Sequence, residues 1–270
     1  MIAVKTFQQG PVQAFRFQRV LAHKRLPLIP VHNYFLDGLM IDTNMARARP
    51  FLADLWDPLP LRQVMLTHYH EDHSGNAHWI QDRYQVPLYG GLQTLDRVAQ
   101  GVPVKPYQRF LFGRPEKASL LPIAGELETE HYRIRIIPSP GHSSDHVCLY
   151  VAEEGWLFSG DLFLGERLRT FKKEEVFSQQ LQSLATLLQL DFTWLFCAHN
   201  PRFSCGKEAL QRRYDNLLNG AEMTKDLAQK GLSVRQIRKQ LRLRENWFYR
   251  LLSQGDVSMR NMIESIVQTM

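Results

Sequence analysis

Thr67-His68-Tyr69-His70-Glu71-Asp72-His73-Ser74-Gly75 sets three imidazoles and the Asp72 carboxylate within six consecutive residues. Packing alone does not call for so dense a run of metal-seeking side chains. Val64-Met65-Leu66 ahead of it reads as the end of a buried strand, and Ser74 to Tyr84 behind it as a helix, so the run occupies a strand-to-helix turn. His68 and His70 are two apart and point the same way in extended chain. Asp72 and His73 fall where that helix is expected to begin, and the helix N-terminal partial charge favours a carboxylate there. Such a cluster can serve two adjacent metal ions, one taken by the His pair and the other by the Asp-His pair.

Three later segments echo this one. Pro140-Gly141-His142-Ser143-Ser144-Asp145-His146 is a Gly-led turn before the apolar Val147-Cys148-Leu149-Tyr150-Val151. Trp156-Leu157-Phe158-Ser159-Gly160-Asp161 is a short apolar strand ending in Gly-Asp, and Trp194-Leu195-Phe196-Cys197-Ala198-His199 is another, ending in His. Delivery of polar residues at the C-terminal ends of strands is where open α/β sheets present their sites. A lone His after a strand is most often an ordinary loop residue; three such deliveries in order, after the dense first cluster, are not.

Taken together these residues resemble the metallo-β-lactamase fold superfamily. Its pattern runs His-x-His-x-Asp-His, a Gly-His turn, Gly-Asp, and a final strand-end His, matched here by His68, His70, Asp72, His73, His142, Asp161 and His199. The resemblance implies an α/β fold, a four-layer αβ/βα sandwich of two facing sheets with helices outside both. It also implies two metal ions, one on His68, His70 and His142, the other on Asp72, His73 and His199, with Asp161 bridging. The match spans roughly residues 30 to 200 and includes Leu39-Met40-Ile41-Asp42-Thr43, similar to the family's Ile-Asp-Thr-Gly strand end, with Asn44 where Gly is usual. Asp42 then supports the site rather than binding metal.

Departures narrow the branch. His70, not Glu, at the second cluster position counts against the di-iron, oxygen-reducing branch, and Asp161, not Cys, counts against the best-known antibiotic-cleaving enzymes. Leu162-Phe163-Leu164-Gly165-Glu166-Arg167 differs from the stretch that follows in glyoxalase II. The pattern is most similar to a broad hydrolase group with a glyoxalase II or ribonuclease Z-like metal site.

The chain has 270 residues, enough for a large core. Its 44% hydrophobic and 22% charged composition is that of a globular protein. Three cysteines without ladder spacing predict no disulfide scaffold, and neither a signal peptide nor a membrane span is read, so a cytoplasmic setting is expected. The net charge of +6 is suggestive of anionic partners. Most basic residues read as solvated surface. The run Arg167, Arg169, Lys172 and Lys173 follows Asp161 closely, and superfamily geometry would set it at the rim of the site, holding an anionic part of a substrate.

Residues 1–200 read as the catalytic domain and 201–270 as a helical subdomain. Phe177, Leu181, Leu184 and Leu188 mark one amphipathic helix; Leu210, Tyr214, Leu217 and Ala221 mark a longer one. Ser233 is placed to cap a helix from Val234, Trp247 to Leu252 forms another, and Ser258 caps the last. Leu232 to Leu252 has a helix-turn-helix rhythm with basic decoration, so nucleic-acid binding is one reading. The other is packing on the core, with Trp247, Phe248 and Tyr249 as packing residues, or walling of the site through Arg212, Arg213 and Tyr214.

The ligand set predicts hydrolysis by a metal-bridging hydroxide, with Asp72 or Asp161 relaying a proton. Nitrogen and oxygen donors suit Zn2+, and also Fe or Mn. Asp145 and His146 are expected in supporting roles, His146 alternatively as proton donor. His23, His32 and His131 read as surface or loop residues, and His78 as packing or facing solvent. The favoured substrate is a small ester, thioester or lactone with an anionic group; the alternative is a phosphodiester in RNA or DNA.

Overall fold

The computed structural model describes residues 1–21 and 26–269. Eight strands form the first sheet: β1 (Ile2–Gln9), β2 (Val12–Leu21), β3 (Leu26–Pro27), β4 (Val31–Leu36), β5 (Leu39–Ile41), β6 (Gln63–Met65), β7 (Leu88–Gly90) and β8 (Leu121–Pro122). Their spatial order is β1-β2-β4-β5-β6-β7-β8, with β3 paired to β2 off that path. The hairpin half is antiparallel, and the half from β5 to β8 is parallel. The second sheet holds β9 (Gly125–Glu128), β10 (Arg133–Pro138), β11 (Val147–Val151), β12 (Trp156–Gly160) and β13 (Trp194–Cys197), in the order β13-β12-β11-β10-β9. Only its β12–β13 pair is parallel.

Strand residues point alternately to opposite faces, and here both faces are buried. Met65 turns to the space between the sheets, while Val64 and Leu66 turn outward. In β11, Val147, Leu149 and Val151 face the other sheet, while Cys148 and Tyr150 face away. Three apolar layers result. The outer layer of the first sheet is covered by α1 (Leu52–Trp56), α2 (Ala77–Tyr84) and α3 (Leu92–Gln100), through Trp56, Ile80 and Val98. After α4 (Pro106–Phe112), the outer layer of the second sheet is covered by α5 (Phe177–Leu188), α6 (Gly206–Gln229) and α9 (Met259–Val267). That is a four-layer helix–sheet–sheet–helix sandwich, as the family resemblance implies.

The chain beyond residue 201 also holds α7 (Val234–Gln240) and α8 (Trp247–Leu252). Leu210, Leu217, Met262 and Ile266 of the tail share one core with the second sheet. Ser233 N–H donates to Gln236 Oε1 at 2.8 Å to open α7, and Ser258 Oγ accepts from Arg260 N–H at 3.2 Å to open α9.

Four expectations need comment. The helix after the histidine run starts at Ala77, not Ser74. The chain from His70 to Asn76 is instead held in turns, with His73 N–H and Ser74 N–H both donating to the His70 carbonyl. His32 is no surface residue: it lies on β4, a strand with both neighbours paired, and its Nδ1 is 2.9 Å from the Ala198 carbonyl. Burial pushes its pKa down to about 4. Of the three aromatic residues expected to pack, Phe248 and Tyr249 do so, but Trp247 is 56% exposed, flanked by the guanidinium groups of Arg238 and Arg250. His23 lies outside the described residues. His131 and His78 are as expected, the first paired with Asp37 in a turn, the second half-buried on α2 near Asp82.

Candidate metal centre

Strand ends from both sheets deliver the seven residues to one place. His68, His70, Asp72 and His73 follow β6, His142 lies between β10 and β11, Asp161 follows β12, and His199 lies just past β13. All seven are buried. Gly160, at φ +47°, lets the chain turn Asp161 into the site; a Cβ there would sit 2.6 Å from His146 Nε2.

The side chains fall into two groups, each with its ligand atoms within 4.8 Å of one another: His68, His70 and His142; and Asp72, His73, Asp161 and His199. In the first, His70 Nδ1 lies 2.8 Å from His68 Nε2 and 3.0 Å from His142 Nε2. In the second, Asp161 Oδ1 is 3.2 Å from both His73 Nε2 and His199 Nε2, and His199 Nε2 is 3.7 Å from Asp72 Oδ2. Asp161 Oδ2 also lies 3.3 Å from His142 Nε2, so this carboxylate stands between the groups.

The far nitrogens decide which atoms are free. His73 Nδ1–H donates to Asp42 Oδ2 at 2.7 Å, His70 Nε2–H to Glu174 Oε1 at 3.0 Å, and His199 Nδ1–H to the Pro30 carbonyl at 2.5 Å. His68 Nδ1–H donates to Thr67 Oγ1 at 3.0 Å, whose own proton goes to Asp42. With those protons turned outward, the inward nitrogens present lone pairs to each other in a buried space. Ligands at about 2.0–2.1 Å in tetrahedral array lie roughly 3.3 Å apart, close to the separations found. The donor set fits divalent cations, and outward protons on ligating histidines are how proteins orient such ligands.

Charge in the first group supports the same conclusion. Burial, then the neighbouring histidines, holds His68 well below its usual range; burial and the Lys172 ammonium push His70 down to about 3. Neutral imidazoles are what a metal requires. Burial opposes ionisation of Asp72 and Asp161, but the histidines beside them outweigh it and keep both carboxyls below their usual range.

Asp42, at φ +62°, accepts from Thr67 N–H, Thr67 Oγ1 and His73 Nδ1 and does not enter either group. Asn44 takes a left-handed φ of +58°, which Asn tolerates where Gly is usual. Asp145 ties Tyr69 N–H, Thr94 Oγ1 and Ser143 Oγ together. His146 Nε2 accepts from Asp161 N–H at 3.1 Å, so the proton is on Nδ1, 2.8 Å from Ser139 Oγ. Both ring nitrogens are therefore engaged in holding the Asp161 loop.

A small cavity of about 90 Å³ opens on Asp72, His142, Asp161 and His199, and Lys172 and Tyr249 also line it. Of the four basic residues expected at the rim, Lys172 alone lines it. Its Nζ is 3.4 Å from His70 Nδ1. Arg167, Arg169 and Lys173 are exposed, and the Lys173 backbone is tied to Asp256 instead. Tail residues do wall the cavity, but they are Tyr249 and Val257. Arg212 pairs with Glu166, Arg213 is buried with Nη1 donating to the Gly165 carbonyl, and Tyr214 packs on the core.

Sequence reasoning missed Glu174, Glu175 and the depth of Glu71. Glu175 Oε1 lies 3.5 Å from His142 Nδ1, and Glu71 accepts from Gln108 Nε2 while burial pushes its carboxyl up to about 7. The acids directly after Lys172-Lys173 were the available signal, hidden by reading that stretch only as a basic run.

This sandwich gathers candidate metal-ligating residues at the ends of strands from both sheets. Residues 30–199 match the family model of the metallo-beta-lactamase superfamily, and the chain belongs to that family. It is 30% identical over 178 residues to the beta-lactamase-like protein 2 homolog of Drosophila melanogaster, covering 60% of this chain and 54% of the relative. Over 182 residues it is 29% identical to a hydroxyacylglutathione hydrolase of Klebsiella pneumoniae, covering 64% and 62%. The chain thus spans between about half and two thirds of the length of these relatives. The structure of a metallo-beta-lactamase from Pontibacter korlensis superposes with a TM-score of 0.61 at 17% identity, over 80% of this chain and 100% of that one.

Proposed function

We propose that this protein is a hydrolase working with two divalent cations, most readily Zn2+, on a small ester, thioester or lactone that carries an anionic group. His68, His70 and His142 would hold one cation and Asp72, His73 and His199 the other, with Asp161 shared. The observation that carries the reading is the pair of buried donor groups with their protons turned outward. The name of the Klebsiella pneumoniae relative supports acyl-thioester chemistry. Cations held there would supply a water acidified toward a pKa of roughly 7 and positive charge to stabilise a developing carbonyl oxyanion.

The chain's own residues supply the rest. Asp72 and Asp161, buried as carboxylates, are placed to take a proton from the attacking water. Water oxygen bonds to the acyl carbon, the carbon–sulfur or carbon–oxygen bond breaks, and the proton passes to the departing thiolate or alkoxide. Lys172 supplies a fixed positive charge beside the reacting group. Burial disfavours its ammonium, but Glu71, Asp72, Glu174 and Glu175 outweigh that and hold its pKa above the ordinary lysine range. Tyr249 and Val257 of the tail, with Leu111 and Phe112 of α4, give the cavity an apolar wall. Three free cysteines, two of them buried, suit a reducing, cytoplasmic setting.

The test is a panel of thioesters, esters, lactones and a phosphodiester, assayed on protein reconstituted with zinc, manganese or iron, with metal content measured alongside. Acyl hydrolysis with both sites filled is expected. Less than one metal per chain, or turnover of the phosphodiester alone, would sink the reading.

A further inference from the structure

Beside the small cavity lies a much larger one, of about 1600 Å³, between the segment around Arg47, the C-terminal end of α3, α4 and the loop from Gly113 to Lys117. Its lining is cationic. Arg47, Arg97, Arg109, Arg114 and Lys117 all line it, and none forms an ion pair among the described residues. Two further cations there are already matched, Arg49 to Glu116 at 2.5 Å and Lys105 to Asp256. Glu116 and Glu174 are the lining carboxylates, and each has a partner, Arg49 and His70. Five unmatched positive charges thus converge on one concavity, where low-dielectric walls concentrate their field.

This cavity meets the metal centre at Tyr69, His70 and Glu174. Helix α4 partitions the two spaces: Tyr107 lines the small one, and Gln108 and Arg109 line the large one. The small cavity admits only a reacting group, whereas the large one exceeds the roughly 300–1,000 Å³ of ordinary ligand pockets. A ligand that reaches His70 from the large cavity has a reactive end at the centre and a bulky, multiply anionic arm.

We infer that the large cavity binds the phosphate-bearing arm of a thioester whose thiol carries a nucleotide diphosphate, as in a coenzyme A ester. The inference rests on the acyl-hydrolase reading above and names its substrate class. Guanidinium groups bind phosphate oxygens in bidentate fashion, and four of the five unmatched cations are arginines. A nucleic-acid strand fits less well. Sequence-tolerant strand binding relies on aromatic platforms for the bases. Among the described residues, Tyr69 is the one Phe, Tyr or Trp lining this cavity, and the Arg97 guanidinium covers its ring at 4.5 Å.

The experiment compares S-acetyl coenzyme A with the phosphate-free S-acetyl-N-acetylcysteamine, and measures binding of free coenzyme A to the full chain by calorimetry. We expect saturable coenzyme A binding that weakens as salt rises, and a kcat/KM ratio favouring the phosphorylated thioester by about tenfold or more, one charged contact's worth. Arg109→Ala/Arg114→Ala/Lys117→Ala should abolish the binding and bring the ratio toward one. Arg235→Ala/Arg238→Ala/Lys239→Ala in the tail should change neither. Lys117→Glu alone reads the same ratio should the triple variant fail to fold. Equal kcat/KM for the two thioesters with no coenzyme A binding overturns the inference and leaves the hydrolase reading standing. Coenzyme A binding that the triple variant loses, with no thioester cleaved, supports the cavity and sinks the hydrolase reading. A single-stranded RNA that displaces coenzyme A and is cut overturns the inference in favour of nucleic acid.

Discussion

Both donor groups hold buried histidines, yet His68 and His70 of one titrate in the opposite direction from His73 and His199 of the other. In the trio, burial and then neighbouring positive groups push His68 and His70 down. In the quartet, burial pulls the same way, but Asp42, Asp161 and Asp72 overcome it around His73, and Asp161 and Asp72 do so around His199, so both are raised. Desolvation is common to all four, so the balance of the surrounding charges decides. The quartet can neutralise itself with protons. The trio, with Lys172 against His70 Nδ1, has no such recourse and depends more on a cation to relieve its converging lone pairs.

The largest effect is expected where the groups meet. Asp161→Asn keeps the shape of the shared carboxylate but removes its charge. The variant should bind less metal and lose more than about 100-fold in kcat/KM, beyond what changes behind the ligands cost. Metal analysis after dialysis and steady-state rates check both. If the variant keeps both metals and loses only a few-fold, Asp161 does not join the two groups.

A milder change sharpens the contrast from behind each group. Asp42 is buried and accepts from Thr67 twice and from His73, whereas the Glu174 side chain is 44% exposed and supports His70. Asp42→Asn should lower metal affinity by about 100-fold and Glu174→Gln by about tenfold, the two ends of the usual range. Competition against a chromophoric chelator measures both. Equal losses, or a larger loss in Glu174→Gln, would show that charge behind the quartet does not set the difference.

Much of this centre was legible from local pattern. Strands such as Trp156–Gly160 and Trp194–Cys197 announce themselves as apolar runs, and the residues they deliver are adjacent in sequence. The two facing sheets and their covering helices follow from the family resemblance those residues carry, not from periodicity. What stayed hidden depends on contacts distant along the chain. His32 reads as a loop residue until β2 and β5 are seen flanking its strand. The turn ahead of α2 holds Gly75 where a Cβ would collide with the backbone of Asn44 and Ala46, a contact distant along the chain. Glu174 matters only because its loop returns 104 residues after His70. The cationic cavity draws its unmatched cations from Arg47 to Lys117, none of which forms a run on its own.

The smallest effect on metal, and the most telling for substrate, belongs to Lys172. Replacing it by Met keeps the chain length and removes the ammonium 3.4 Å from His70 Nδ1. Two consequences oppose each other. The trio loses a repulsive neighbour, which favours a cation, while Glu71, Glu174 and Glu175 lose the charge that balances them. Metal affinity should therefore change by no more than a few-fold. For substrate there is no such cancellation: an anionic group in the small cavity loses the one Lys or Arg that lines it among the described residues. Lys172→Met should raise KM by about tenfold with kcat nearly unchanged, the pattern of binding lost equally from ground and transition states. Alanine at Arg167, Arg169 or Lys173 should leave KM where it was, since those side chains face solvent. A fall in kcat of about 100-fold with unchanged KM in Lys172→Met would instead assign the ammonium to charge that develops only during reaction.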